Sequence, residues 1–236
     1  MHGSDAPATL VICGTVPRTT RSEPSGLVRG PDLPVTWLAP IDRLAFAADL
    51  AARHAGCAAA LELPPAALES RSRLRGLLAR SRDVLPGIAA VAVRGGVSAE
   101  HRGLLVEEGI RIALVEQLAE SGRGSRRPAP AGWRCRNAAW GLWEVEISAG
   151  VPRSPLAWLG LGGRPRRGSL HVLRTEALAE GNGGTVFMAS RLERQLAWAR
   201  RQVDHGRGVA VSLDGLATKL AGGEPVARDH AILRAA

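Results

Sequence analysis

Two hydrophobic periods alternate along this chain. Short apolar runs of small and β-branched residues read as strands buried on both faces, and stretches with apolar residues three and four apart read as helices between them. The clearest example spans Ile88 to Glu116, IAAVAVRGGVSAEHRGLLVEEGIRIALVE. Ile88–Val93 is the first apolar run, and Arg94-Gly95-Gly96 breaks it. Ser98 is placed to cap a helix, Glu100 lies in its first turn, and Leu104, Leu105 and Glu108 carry it to Gly109, a natural C-terminal stop. Ile110–Val115 is a second buried strand, so the segment predicts one βαβ unit.

The same rhythm extends in both directions. Ala8–Cys13 predicts a first strand, and Gly14–Pro34, rich in proline and arginine, predicts a long loop of the kind that often walls a site. Pro34–Ala39 predicts strand two. Ile41–His54 predicts a helix with Ile41, Leu44, Ala45 and Ala48 on one face, ending at Gly56. Ala58–Leu63 predicts strand three, and Ala66–Arg82 a helix whose outer face carries Arg71, Arg73, Arg75, Arg80 and Arg82. After Glu116 the texture changes. Glu120–Gly132 is Gly, Arg and Pro, and Trp133–Ile147 is expected to contain another strand. Ser148–Gly168 is again Pro/Gly-rich and basic. Ser169–Arg174 predicts a late strand, and Ala189–His205 a helix with Ser190 and Glu193 as a capping box. Gly206–Leu213 predicts the last strand, followed by a short helix over Asp214–Ala221.

About eight short buried strands with helices between several of them predict a single α/β domain with a distorted parallel (β/α) barrel over residues 8–221. Residues 1–7 and 222–236 are read as tails. A barrel is favoured over a doubly wound sheet because no glycine-rich turn follows the first strand. Gly160–Gly163 has no βαβ pattern before it, so no dinucleotide cofactor is expected.

Composition narrows the function classes. Hydrophobic residues make up 45% of the 236 positions, enough for a sizeable core. The formal charge of +9 rests on arginine, since Lys219 is the sole lysine. Such a balance suits a polyanionic partner or simply an arginine-biased surface. No basic run is interleaved with stacking aromatics, which argues against nucleic acid. Cys13, Cys57 and Cys135 are too widely spaced for a zinc ribbon and odd in number, which fits a reducing compartment. The opening MHGSDAPATLVICG lacks the regions of a signal peptide, and no apolar run reaches the length of a membrane span. The expectation is a cytoplasmic protein without membrane association. Its oligomeric state is left open.

The segment order resembles the NodB-type polysaccharide deacetylases. PVTWLAP is similar to that family's second strand, RLAFAADLAARHAGCAAALEL to its following helix and strand, and EEGIRIALVE to a later helix end and strand. Arg94-Gly95-Gly96 sits where the family has Arg-x-Pro-x-Gly, SLHVLR resembles the late strand, and RQLAWARRQVDHGRGVAVSLDGL the last helix and strand. The likeness covers roughly residues 8–220. It implies a distorted NodB-like barrel and carbohydrate metabolism. It also implies a divalent metal, held by one Asp and two His beside a second Asp as base, that removes acetyl groups. The Asp pair belongs at the end of strand one, where this chain has Cys13-Gly14-Thr15 and the nearest acids are Glu23 and Asp32. The His pair belongs after strand three, where it has Glu62-Leu63-Pro64-Pro65. His171 falls two positions before the expected end of the late strand, beside Leu173 and Arg174. The expectation is therefore a pseudoenzyme-like member with no metal ligands and no cofactor.

Single residues then stand as candidates. Arg94 ends a central strand, where barrel sites are built, to orient an acid or bind a substrate oxygen; the alternative is a loop ion pair. Glu62 ends its own strand and, with His171, is the candidate catalytic pair of a divergent hydrolase acting on N- or O-acetyl groups. Their alternatives are an Arg-paired carboxylate and a hydrogen-bonded core histidine. His54, His101 and His205 are read as surface groups. Trp133, Trp140 and Trp143 can stack on sugar faces, with Arg134, Arg136 and Glu144 hydrogen-bonding hydroxyls or carboxylates; otherwise the rings fill the interior or cover an edge. Cys135 among them is a nucleophile only beside a base. The leading expectation is a carbohydrate or polyanionic ligand at the barrel mouth, lined by Arg94, Glu62, His171 and the Trp133–Trp143 group. A third reading is a scaffold whose basic loops, Arg123–Arg127 and Arg164–Arg167, meet an anionic partner.

Overall fold

The computed structural model describes residues 6–16, 31–116, 135–148, 165, 167–180 and 186–222. The elements run β1 (Ala8–Thr15), β2 (Thr36–Ala39), α1 (Leu44–Arg53), β3 (Ala58–Leu63), α2 (Arg71–Val84), β4 (Ala90–Arg94), α3 (Ala99–Glu107), β5 (Ile112–Glu116), β6 (Cys135–Ala139) and β7 (Leu142–Glu146). They continue with β8 (Leu170–Glu176), β9 (Leu178–Glu180), β10 (Val186–Met188), α4 (Ser190–Asp204), β11 (Gly208–Val211) and α5 (Leu213–Ala221).

Nine strands form one sheet that is parallel except for β6. β1 is its hub. β8 pairs with it from Thr9 to Thr15, while β11 takes Ala8–Val11 and β2 takes Cys13–Thr15 along the other edge. From β2 the sheet continues through β3, β4, β5 and β7. It curls until its flanks touch. The Ser148 N–H donates to the Val172 carbonyl (2.8 Å), and the Val172 N–H donates to the Ser148 hydroxyl (3.0 Å). The result is an α/β domain built on a curled, mostly parallel sheet, as the strand and helix periods predicted.

Strand alternation divides the side chains cleanly. Outward residues Leu10, Ile12 and Trp37 pack with Leu50 of α1 and Leu192 and Trp198 of α4. Leu61, Leu63, Val91 and Val93 pack with Leu74 and Leu78 of α2 and Leu104 and Leu105 of α3. Inward residues Val11, Cys13, Leu38, Ala60, Ala92, Leu114, Val145 and Val172 form the inner core. Several are small, which suits the narrow interior of a curled sheet. Leu213, Leu216, Ala217 and Leu220 of α5 join that core, and the Leu213 N–H donates to the Thr36 hydroxyl (2.9 Å). Gly14 faces outward on β1, where an added Cβ would stand 2.8 Å from Ala177 Cβ and 3.4 Å from the Trp37 ring. A bare backbone is required there for Trp37 to pack.

Four local expectations are corrected. Trp133–Ile147 is, over its described part, a hairpin of β6 and β7 that turns at Trp140-Gly141, with Gly141 at φ +86°. The helix expected from Ala66 begins at Arg71. Pro64 and Pro65 favour a 3₁₀ turn over Pro65–Glu69 first, and Ser70 then caps α2 by accepting from the Arg73 N–H. Ser190 is the first helical residue of α4 and not its cap. Ala189 holds that position, its N–H bound to the Ala177 carbonyl (2.8 Å), so tertiary anchoring replaces the capping box. His101 is buried, with Nδ1 2.8 Å from the Ser98 hydroxyl. The short antiparallel pair β9–β10 had no recognisable signal in the sequence.

Candidate functional site

The inner row of side chains changes character at one level. Two residues beyond the last small or apolar inward position on each of five strands stands a polar or charged group: Cys13 is followed by Thr15, Ala60 by Glu62, Ala92 by Arg94, Leu114 by Glu116 and Val172 by Arg174. Because these strands are parallel, all five groups lie at the C-terminal end of the curl, its mouth. Parallel-sheet folds build sites at that end because the loops that follow the strands converge there.

Arg174 organises the cluster. Its Nη2 donates to Glu62 Oε1 (2.8 Å), its Nη1 to Glu116 Oε2 (3.2 Å) and its Nε to the Thr15 hydroxyl (3.2 Å). Arg94 Nη2 stands 3.7 Å from the same Glu62 oxygen. Exposure separates the roles: the Arg174 and Glu62 side chains are 10% and 13% exposed, those of Glu116 and Arg94 46% and 61%. The first pair is a buried framework held by a planar fork. The second pair presents one carboxylate and one guanidinium to solvent. Below them Cys13 is fully enclosed, and burial pushes its thiol up to about 12 despite the nearby Arg174, so it stays protonated.

The other sequence candidates are dispersed. Trp143 points inward at the start of β7 against the inner core, and Trp140 projects from the β6–β7 turn, 94% exposed. Both therefore lie at the end of the curl opposite Glu62 and Arg94. Glu144 points outward and is buried. It accepts from Arg102 Nε of α3 (2.6 Å) and from Arg136 Nε of β6 (2.7 Å), so it clamps the hairpin to a helix. His171 also faces outward. Its Nε2 lies 2.8 Å from the Ser169 hydroxyl and its ring meets Trp198 edge-on at 6.4 Å, and burial lowers its pKa. The sheet thus separates His171 from Glu62. Burial pushes the Cys135 thiol up to about 12, which leaves no thiolate for nucleophilic work. Trp133, Arg134, most of the Gly14–Pro34 loop and the loop arginines 123–127 lie outside the described residues.

Sequence reasoning missed Glu116 and Arg174. The available signal was strand parity: both continue the inward row one step past its apolar end, as Glu62 and Arg94 do. Among the described residues no group of three or more His, Cys, Asp or Glu stands close enough to hold a metal ion. Among the same residues no helix is long and apolar enough to cross a membrane. Comparison with family models, curated proteins and solved structures returned no match.

Proposed function

We propose that this protein binds a saccharide bearing carboxylate or other anionic groups at the mouth of its curled sheet, as a NodB-like barrel whose metal centre has given way to an ion-pair network. The observation that carries this reading is the Arg174 cluster. A buried guanidinium holds two carboxylates in place, and Arg94 is left with its fork mostly in solvent. Arg94 suits bidentate recognition of a carboxylate, sulfate or phosphate. The exposed Glu116 oxygens suit sugar hydroxyls. Glu116 is held in advance by Arg174, so it loses little freedom when a ligand arrives.

The resemblance supports the carbohydrate class. Among the described residues, the mouth does not fit the metal it would imply. The carboxylates at the mouth are committed to Arg174, and a guanidinium in their midst opposes a divalent cation. The function supported best is therefore binding.

Calorimetric titration with oligosaccharides of uronic acids tests the proposal. Saturable binding that weakens about tenfold or more in Arg94→Ala, with the fold intact, is the expected result. A folded protein that binds neither acidic nor neutral glycans overturns it.

A further inference from the structure

Helix α4 runs the height of the curl on its outer side. Its start is tied to the mouth. The Ala189 N–H donates to the Ala177 carbonyl (2.8 Å), and the Ala177 N–H donates to the carbonyl of Thr15, a mouth residue (2.9 Å). Its far end leads into Arg207, whose carbonyl accepts from the N–H of Ala8, the first residue of β1 (2.9 Å). Leu192, Leu196, Trp198 and Ala199 bury one face of the helix against the sheet, which leaves the opposite face to solvent.

The exposed positions sort into two stripes. Arg191, Arg194, Arg201 and His205 are spaced by three, seven and four residues, helical spacings that align them. Glu193, Arg200 and Asp204, spaced by seven and four, align separately. The second stripe mixes both signs, and Arg200 Nε donates to Asp204 Oδ1 (3.0 Å). The first carries no acid. Among the described residues no carboxylate pairs with Arg191, Arg194 or Arg201, and Arg194 Nε donates to the Ser190 carbonyl (3.3 Å). Arg191 and Arg194 are like charges one turn apart, and Arg191 lies in the first turn, where the helix dipole disfavours a cation. Both placements work against the helix, so its own stability does not account for them.

We propose that this stripe continues the saccharide site. An acidic polysaccharide held at the mouth by one sugar passes over the rim and along α4, its carboxylates or sulfates meeting Arg191, Arg194 and Arg201 in turn. The inference rests on the saccharide reading of the mouth and makes the ligand a polymer. Arg191 and Arg201 are ten residues apart, about 15 Å along the helix axis, so the stripe serves successive charged sugars. Glu176, in register with Thr15 at the rim, is exposed and suits the hydroxyls of sugars in passage. Trp198, the sole aromatic of α4, is buried, so the stripe offers no stacking platform for the bases of a nucleic-acid strand. Repeated guanidinium groups without aromatics match repeated anionic groups on a sugar chain.

Calorimetric titration of the full chain with oligogalacturonates of increasing length tests it. Affinity is expected to rise about tenfold or more from the shortest oligomer that binds to the longest. The triple variant Arg191→Gln, Arg194→Gln, Arg201→Gln should lose that gain and the salt dependence that goes with it, yet bind the shortest oligomer as the wild type does. Arg200→Gln, on the mixed stripe, should retain the gain. Should the triple variant fail to unfold cooperatively, each single substitution is expected to remove part of the gain. Equal affinity for short and long oligomers in the wild type, with the loss in Arg94→Ala intact, overturns the stripe and leaves the mouth reading standing. Binding of short oligomers that is indifferent to Arg94→Ala overturns both. A duplex oligonucleotide or an anionic phospholipid vesicle that binds more tightly than the longest oligogalacturonate, through the same three arginines, also overturns the proposal.

Discussion

Two charged triads in this molecule have nearly mirror-image composition and opposite surroundings. At the mouth, one guanidinium, Arg174, lies between two carboxylates, Glu62 and Glu116. On the outer face, one carboxylate, Glu144, lies between two guanidinium groups, Arg102 and Arg136. The Glu144 triad joins a strand to a helix and to a hairpin partner, and its central group is enclosed by the elements it connects. The Arg174 triad links the ends of β8, β3 and β5, strands of one sheet that are not hydrogen-bonded neighbours, and it borders the solvated Arg94. Charge buried between elements is a clamp. Charge buried at the end of an inward row is a platform, because the sheet beneath it is held by its own ladder and its neighbours Arg94 and Glu116 are exposed. Trp140, Trp143 and Glu144 share a sequence neighbourhood that reads like a sugar site, yet parity and strand direction remove all three from the mouth.

Substitutions at the two triads separate clamp from platform. Arg174→Ala should cost about 3–5 kcal/mol, because it leaves Glu62 enclosed without its donor. Denaturant unfolding reads this loss, and binding at the mouth should vanish with it. Glu144→Ala should cost about 2–4 kcal/mol by stranding Arg102 beneath the hairpin, yet leave saccharide affinity unchanged. A loss of affinity without a loss of stability in this variant would reverse the assignment of the two triads. Arg94→Ala should change stability by less than about 0.5 kcal/mol, as exposed positions do, while weakening an acidic ligand about tenfold. That pairing of outcomes distinguishes a platform residue from a clamp.

The smallest effect belongs to His171. Its folded pKa lies below the ordinary histidine value because burial disfavours the imidazolium. The unfolded chain therefore takes up the proton first as pH falls. Stability is at its full value above about 6.5 and declines as pH drops through that value toward the folded pKa. In His171→Gln this part of the acid-side decline should be absent, and affinity at the mouth should be unaltered. A coincident loss of affinity would place His171 in the site after all.

The fold was legible where one physical signal dominated. The buried strands Ala8–Cys13, Ala58–Leu63 and Ile110–Val115 declared themselves as short apolar runs, and Ser98 capped its helix as expected by accepting from the His101 N–H. Legibility failed where signals competed. The Trp133–Ile147 stretch concealed a hairpin because only Gly141 marks its turn. Ser190 looked like a cap, but the backbone beyond β8 had already fixed the start of α4. His101 sits on a helix of mixed polarity, and nothing local showed that this face turns inward. At the site, Glu62 and Arg94 were visible as strand-end charges. Glu116 and Arg174 obey the same rule but were passed over, since a charge closing an apolar run reads first as the edge of a loop. Which way each inward row pointed, and so which charges met, depended on the curl of the whole sheet.

The proposed platform makes the mouth, held by Arg174, the place where a ligand binds. The most direct test is a backbone NMR titration of the wild-type protein with an acidic oligosaccharide. Saturable shifts centred on Thr15, Glu62, Arg94, Glu116 and Arg174, with the Trp140–Glu144 hairpin unmoved, are the predicted result. Shifts centred on that hairpin with the five mouth residues silent would place the ligand at the other end of the curl and rule out binding at the mouth.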